Sequence, residues 1–204
     1  MANRYTPRGI QFVRFEGNAG HEQMANQRYA LAAGRSGNIT PNTLLTLTGS
    51  TDSDGAPTVD ATTAEDTANS SGKKIVGLAK NLFNAAGDPL VVPYLPASKA
   101  GYVEVTPARG AVFACLEDGD GGVMTLSGSC QLAPNNTAVN SDPEDAEQFV
   151  PQPYRNDLLD SSTRNATATH HALQILGRYA SVRNIDTTGR AVVEFKINST
   201  WLPD

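Results

Sequence analysis

Tryptophan occurs once in these 204 residues, histidine three times and cysteine twice, and aromatic side chains make up only 6% of the chain. Cys115 and Cys130 are too few for a disulfide framework, and both read as small core residues. No apolar run approaches the roughly 18 residues of a membrane-spanning helix. The first residues lack the apolar stretch of about 7–15 residues that marks a secretory leader. The expectation is a protein without a membrane segment, made in a cytosol.

The same scarcity bears on chemistry. His21 stands alone, and His170 and His171 are adjacent, so on a strand they face opposite sides and share a metal poorly. The chain has no H-E-x-x-H, no G-x-S-x-G, no G-x-G-x-x-G and no phosphate-binding P-loop. Cys115 lies in an apolar run, a poor setting for a reactive thiolate. TDSDG at 51–55 and DGDGG at 118–122 resemble the openings of calcium loops. The fifth and twelfth positions are Ala56 and Thr63 in one case and Gly122 and Ser129 in the other, so both read as tight turns. No catalytic residue, metal site or cofactor is expected, and the chain is not read as an enzyme.

Charge is unevenly placed. Residues 49–72 hold Asp52, Asp54, Asp60, Glu65 and Asp66 and no base. Without those five the chain has 16 acids against 16 Lys and Arg, so the net charge of −5 belongs to this stretch. A neutral remainder without a basic cluster argues against nucleic acid as a partner. The first fourteen residues, MANRYTPRGIQFVR, form a short basic arm with Arg4, Arg8 and Arg14. Between Gly49 and Lys73 only Val59 is an apolar side chain larger than Ala or Pro. Ordering a residue costs roughly 1–2 kcal/mol of backbone entropy, so 49–73 is expected to be an acidic polar loop, mobile or laid against a neighbour.

What the chain does contain is β patterning. In AVVEFKIN, Val193, Phe195 and Ile197 alternate with Glu194, Lys196 and Asn198, the period of a half-buried strand. ALQILGRYASV precedes it, and NIDTTGR between them supplies turn residues, which predicts a C-terminal hairpin over 172–198. NTLLTLTG, KIVGLA, PLVVPYL, GYVEVTP, GAVFACLE and VMTLSG are further strand candidates separated by Gly, Pro and Asp turns, with Pro93 demoting its run to an edge or bulge. HEQMANQRYALAAG, 21–34, reads as one helix closed by Gly34. The predicted fold is all-β, an antiparallel barrel or sandwich of short strands with extended polar loops and at most one or two short helices. It divides into an N-terminal arm, short helix and first strand over 1–48, the acidic loop over 49–73, and a β body over 74–204. That body contains a polar connection over 134–171, which Phe149, Tyr154, Leu158 and Leu159 are placed to anchor. Trp201 has two readings, closing one end of the barrel or anchoring an interface.

ALQILGRYASVRNIDTTGRAVVEFKINSTW resembles the C-terminal region of capsid-associated structural proteins of tailed bacteriophages. KIVGLAKNLFNAAGDPLVV and RGAVFACLEDGD are similar in style to phage head decoration, or cement, proteins. The likeness covers patches between about residues 74 and 200. It implies a non-enzymatic virion protein on the capsid exterior, made in the host bacterial cytoplasm. Such a protein binds the major capsid protein as a homotrimer and bridges shell subunits, without nucleic acid or membrane partners. On that reading the interface candidates are Arg4, Tyr5, Arg8, Phe12, Arg14, Phe149, Tyr154 and Trp201. The alternative is another β-rich virion component, of tail or baseplate, or a glycan-binding adhesion module.

Overall fold

Among the described residues, ten strands carry the fold. The structure is a computed structural model and describes residues 10–17, 27–35, 37–68, 71–92, 94–117, 128–133, 158–179 and 192–203. In chain order the first five strands are β1 (Gln11–Phe15), β2 (Gln27–Leu31), β3 (Leu44–Thr51), β4 (Pro57–Ala61) and β5 (Ile75–Asn84). The rest are β6 (Gly101–Pro107), β7 (Ala111–Leu116), β8 (Ser129–Cys130), β9 (Leu173–Arg178) and β10 (Val192–Ile197). Short 3₁₀ turns at Glu65–Thr67 and Ser199–Trp201 are the only helical elements among the described residues.

The strands form two units. β2, β4, β3, β5 and β6 close a small barrel in that order, and β1, β7, β10, β9 and β8 form a five-stranded sheet packed on it. Leu31, Leu45, Val59, Val76, Val103 and Val105 fill the barrel interior. Leu44, Ile75 and Leu78 belong to barrel strands but join a second cluster with Phe113, Phe195, Ile197 and Leu173 of the sheet. Alternate side chains of β3 and β5 therefore serve two cores, one on each side of the barrel wall.

β7 shows why one apolar run breaks the alternating rule. Ala111, Phe113 and Cys115 face the shared core, while Ala114 and Leu116 face a third cluster capped by Leu158. A central strand covered on both faces reads as continuous apolar sequence. β10 keeps its alternation: Val193, Phe195 and Ile197 are buried in the shared core, and β9 pairs with it antiparallel, so the two C-terminal strands form as predicted. The turn residues of NIDTTGR lie outside the described residues, as do 118–127 with the EDGDGG turn and most of VMTLSG. Both cysteines are buried and not bridged.

Several expectations are corrected. Residues 27–31 of the predicted helix are strand β2, antiparallel to β6 from Gln27 opposite Val105 to Leu31 opposite Gly101. Inward Tyr29 and Leu31 satisfy a two-residue period as well as a helical one, and closure against β6 decides the matter. PLVVPYL contributes only isolated bridges at Pro89 and Leu95, leaving Val91 and Val92 exposed on a loop.

The largest correction concerns the stretch 49–73, of which 49–51 and 57–61 are barrel strand and not loop. β3 runs to Thr51, a tight turn follows, and β4 returns beside it as a wall of the barrel. The Asp52 carboxylate accepts hydrogen bonds from the amides of Asp54 and Ala56 at 3.0 and 2.8 Å, and Gly55 takes φ +81°. Cross-strand threonines replace large apolar residues: Thr46 and Thr62 hydroxyls lie 2.6 Å apart, and Thr48 bonds Thr58. Thr63 and Asp66 then cap each other's backbone, as in a capping box. Fully buried Thr67 accepts the Leu132 amide on its hydroxyl and the Ala172 amide on its carbonyl, tying barrel to sheet. The proposed boundaries at 48/49 and 73/74 therefore cut through a barrel that spans β2 to β6.

Two stability outcomes follow. Val59 is 1% exposed inside the barrel, so Val59→Ala is expected to cost about 1–3 kcal/mol in denaturant unfolding. A loss below about 0.5 kcal/mol would mean β4 is not a core strand. Gly77 of β5 has φ +149°, and a Cβ there would sit 1.9 Å from the Thr106 carbonyl oxygen. Gly77→Ala is expected to lower the melting temperature by about 5–10 °C, since a strain of about 2–3 kcal/mol shifts a chain of this size by that amount. An unchanged melting temperature would refute the close approach of β5 and β6.

Candidate functional site

Two surfaces combine unusual chemistry with fixed geometry. The first is strand β1, which among the described residues lies at the edge of the five-stranded sheet and pairs on one side only, with β7. Its register shifts between Phe12, opposite Phe113, and Arg14, opposite Val112. Phe12 is 40% exposed although it ends an aromatic row. Its ring centroid lies 4.8 Å from that of Phe15 and 6.4 Å from that of Phe113, which in turn lies 5.7 Å from buried Phe195. Arg14 reaches across β7 to Glu194 on β10 at 2.8 Å. Half-exposed pairs of this kind stabilise by about 0.2–1 kcal/mol, so this one orients Arg14 more than it holds the fold.

The other sequence candidates separate. Arg4, Tyr5, Arg8, Phe149 and Tyr154 lie outside the described residues. Trp201 is buried in the shared core, which removes it from the exposed surface; it closes the joint between barrel and sheet. The segment around it is pinned by Lys74 Nζ donating to the Thr200 carbonyl at 2.9 Å and by Arg109 donating to the Pro203 carbonyl. Leu158 and Leu159 are buried anchors, Leu159 bridging both Glu117 and Leu132.

The second surface is a cleft of about 640 Å³ at one seam of the barrel. β2 pairs with β6 along its length but meets β4 only where Ala30 faces Thr58, and the two strands part there. One wall is the β3–β4 hairpin with Ser50, Asp52, Asp54 and Asp60; the other is the end of β2 with Arg35 and the start of β6 with Tyr102. Arg35 is only 9% exposed. Its guanidinium donates to the carbonyls of Ala32, Lys99 at 2.9 Å and Pro96 at 2.8 Å, locking the turn after β2 to the loop before β6. Its Nε–H finds no acceptor among the described residues. Burial pushes the Arg35 pKa down, opposed by the charge of Asp60. Outside the cleft, Arg28 of β2 stacks on Phe83 and Tyr102, with its guanidinium carbon 4.5 and 4.7 Å from the ring centres. No motif marked Arg35 or Tyr102 in the sequence; only the density of Asp, Ser and Thr in 48–60 hinted at a polar wall.

The histidine pair sits in the turn before β9, not on a strand, with ring centroids 4.5 Å apart in an edge-to-face arrangement. His171 is buried, its amide donates to Ser129 Oγ at 3.0 Å, and its Nδ1 lies 3.4 Å from Gln131 Nε2. Burial, then the neighbouring His170, lowers its pKa, against smaller opposing effects of the Thr163 backbone and Asp160. Below about pH 6.5 the unfolded chain therefore takes up a proton at this position that the native chain resists. Its contribution is complete above the unfolded value and declines as pH falls from about 7 toward 5. His171→Gln is expected to flatten the fall in melting temperature over that window; an identical slope in the variant would remove His171 as its cause.

Comparison with known protein families, characterised proteins and solved structures finds no match for the chain.

Proposed function

We propose that this chain is a non-enzymatic virion protein that binds the outer surface of an assembled icosahedral capsid and bridges major capsid subunits. The observation that supports the reading is Phe12, an exposed aromatic on β1, the edge strand of its sheet among the described residues, which follows in sequence the basic stretch with Arg4, Tyr5 and Arg8. An open edge offers unpaired backbone groups to an incoming strand, and an exposed aromatic offers apolar area at the same place. The C-terminal likeness to tailed-phage capsid proteins supports the same assignment. A homotrimer fits it physically, because three modest contacts on one rigid body give avidity without any single strong contact.

Quantitative mass spectrometry of purified particles of the encoding virus tests the proposal. Hundreds of copies in fixed ratio to the major capsid protein are the expected result; a handful would move the chain to the tail or baseplate, and absence would overturn the virion assignment. Phe12→Lys is expected to reduce capsid-bound copies at least ~10-fold, the effect of about 1.4 kcal/mol per site, while the isolated protein stays folded. Full occupancy by that variant would exclude the β1 edge as the contact.

A further inference from the structure

We infer that residues 158–167 form an acid-released strap, closed along the outer side of β8 while the His171 ring is neutral and opened when that ring takes up a proton. The inference is independent of the capsid assignment and rests on how the ring is enclosed.

Among the described residues β8 ends its sheet, and the strap runs along the side that β9 leaves uncovered. Asn165 and Ser129 exchange amide-to-carbonyl bonds of 2.7 and 2.9 Å. The Asp160 amide donates to the Gln131 carbonyl at 3.1 Å, and the Ala133 amide donates to the Leu158 carbonyl at 2.8 Å. Leu158 and Leu159 are the buried side chains at its start. The Asp160 carboxylate orders the following turn by accepting from the Ser162 and Thr163 amides at 2.9 and 3.2 Å.

His171 lies buried where strap, β8 and β9 meet. Its amide donates to Ser129 Oγ at 3.0 Å, and its carbonyl accepts from Asn198 Nδ2. The main chain therefore cannot carry the ring out to water while β8 and the end of β10 stay in place. Nδ1 faces Gln131 Nε2 at 3.4 Å, an arrangement that needs the lone pair of a neutral ring, and the ring also bonds the Thr163 backbone in the strap. A proton on Nδ1 sets two N–H groups against each other. Turning the Gln131 amide relieves that clash but not the cost of a cation withdrawn from water. Movement of the strap relieves both, because isolated bridges join it to β8, whereas β9 and β10 share a continuous ladder.

The surrounding charges do not reverse this. Asp160 attracts the proton, but its carboxylate is already turned to its own loop. His170, with its ring centroid 4.5 Å away, repels the proton once charged. Arg164 of the strap is exposed, and β8 and the end of β10 present the neutral Ser129, Gln131 and Asn198. Burial and His170 outweigh Asp160 and the Thr163 backbone, so closure holds the ring's pKa below its ordinary value. Opening returns the ring to that value of about 6.5, so the open form gains population as pH falls through it. Opening uncovers the outer side of β8 together with Leu158 and Leu159, an edge suited to pairing with another chain in acid only.

The test is hydrogen exchange of the full chain read by mass spectrometry at about pH 7.5 and about pH 5, corrected for intrinsic rates. Peptides over 128–133 and 158–167 are expected to lose protection at the lower pH by several-fold. The ceiling is ~30-fold, the ratio of protonated to neutral imidazole at an ordinary pKa. Peptides of β5 and β6 are the internal reference and are expected to keep their protection. His171→Gln, which retains a hydrogen-bonding side chain but takes up no proton, is expected to abolish the difference. His170→Gln, which removes the repelling neighbour, is expected to reduce it. Melting curves confirm that each variant is folded. Equal protection of the strap at both pH values, an equal loss in β5 and β6, or a full response in folded His171→Gln would each overturn the assignment. The first two outcomes are read on the unaltered chain, so the test stands should either variant fail to fold.

Discussion

The apolar layer between barrel and sheet is the constraint on which the rest of the structure depends. Leu44, Ile75 and Leu78 turn outward from the barrel, and Phe113, Phe195, Leu173 and Ile197 turn inward from the sheet to meet them. A five-stranded barrel of this size has little interior of its own, and its fully buried inward side chains are no larger than Leu and Ile, with Tyr29 packed at its margin. The shared layer gives the outer faces of β3 and β5 something to bury and gives the sheet a floor. Trp201 closes that layer at one end, which explains why the chain turns back onto the barrel after β10.

From this layer the two candidate surfaces follow. The sheet is anchored through β7 and β10 at its centre, which leaves β1 as an edge whose aromatic row runs from buried Phe195 out to exposed Phe12. The barrel is anchored through β3 and β5, which leaves the β2–β4 seam on a side the sheet does not hold together. The edge presents apolar area and backbone, while the seam presents hydroxyls and carboxylates. The two chemistries are separate, and neither surface needs the other.

Much of this was legible in the sequence. The alternation in AVVEFKIN placed β10, and apolar, β-branched runs placed β6, β7 and the start of β9 to within a residue, because each has one or both faces against a large apolar core. The errors share a physical cause. HEQMANQRYALAAG satisfies a helical spacing through Ala25, Tyr29 and Ala32, yet Ala contributes little burial in either conformation, and over 27–31 closure of the barrel overrode local propensity, residues 21–26 lying outside the described residues. PLVVPYL is β-prone by composition, but its valines face solvent and its backbone pairs only at its ends. The cleft was invisible because it is assembled from four elements, and Arg35 and Tyr102 acquire meaning only where those elements meet.

The acidic stretch teaches the most. Its single large apolar residue argues against a core, but threonine is itself a strand former whose methyl packs and whose hydroxyl pairs across strands. Thr46 with Thr62 and Thr48 with Thr58 close the hairpin by hydroxyl contacts, and Thr67 fastens its far end to the sheet. A polar hairpin of this kind can hold carboxylates at fixed positions, which a mobile loop cannot. The five acids that account for the whole net charge are therefore attached to ordered backbone, and three of them line one cleft. A strand with little apolar surface thus serves in the barrel wall, with its polar side chains lining the seam.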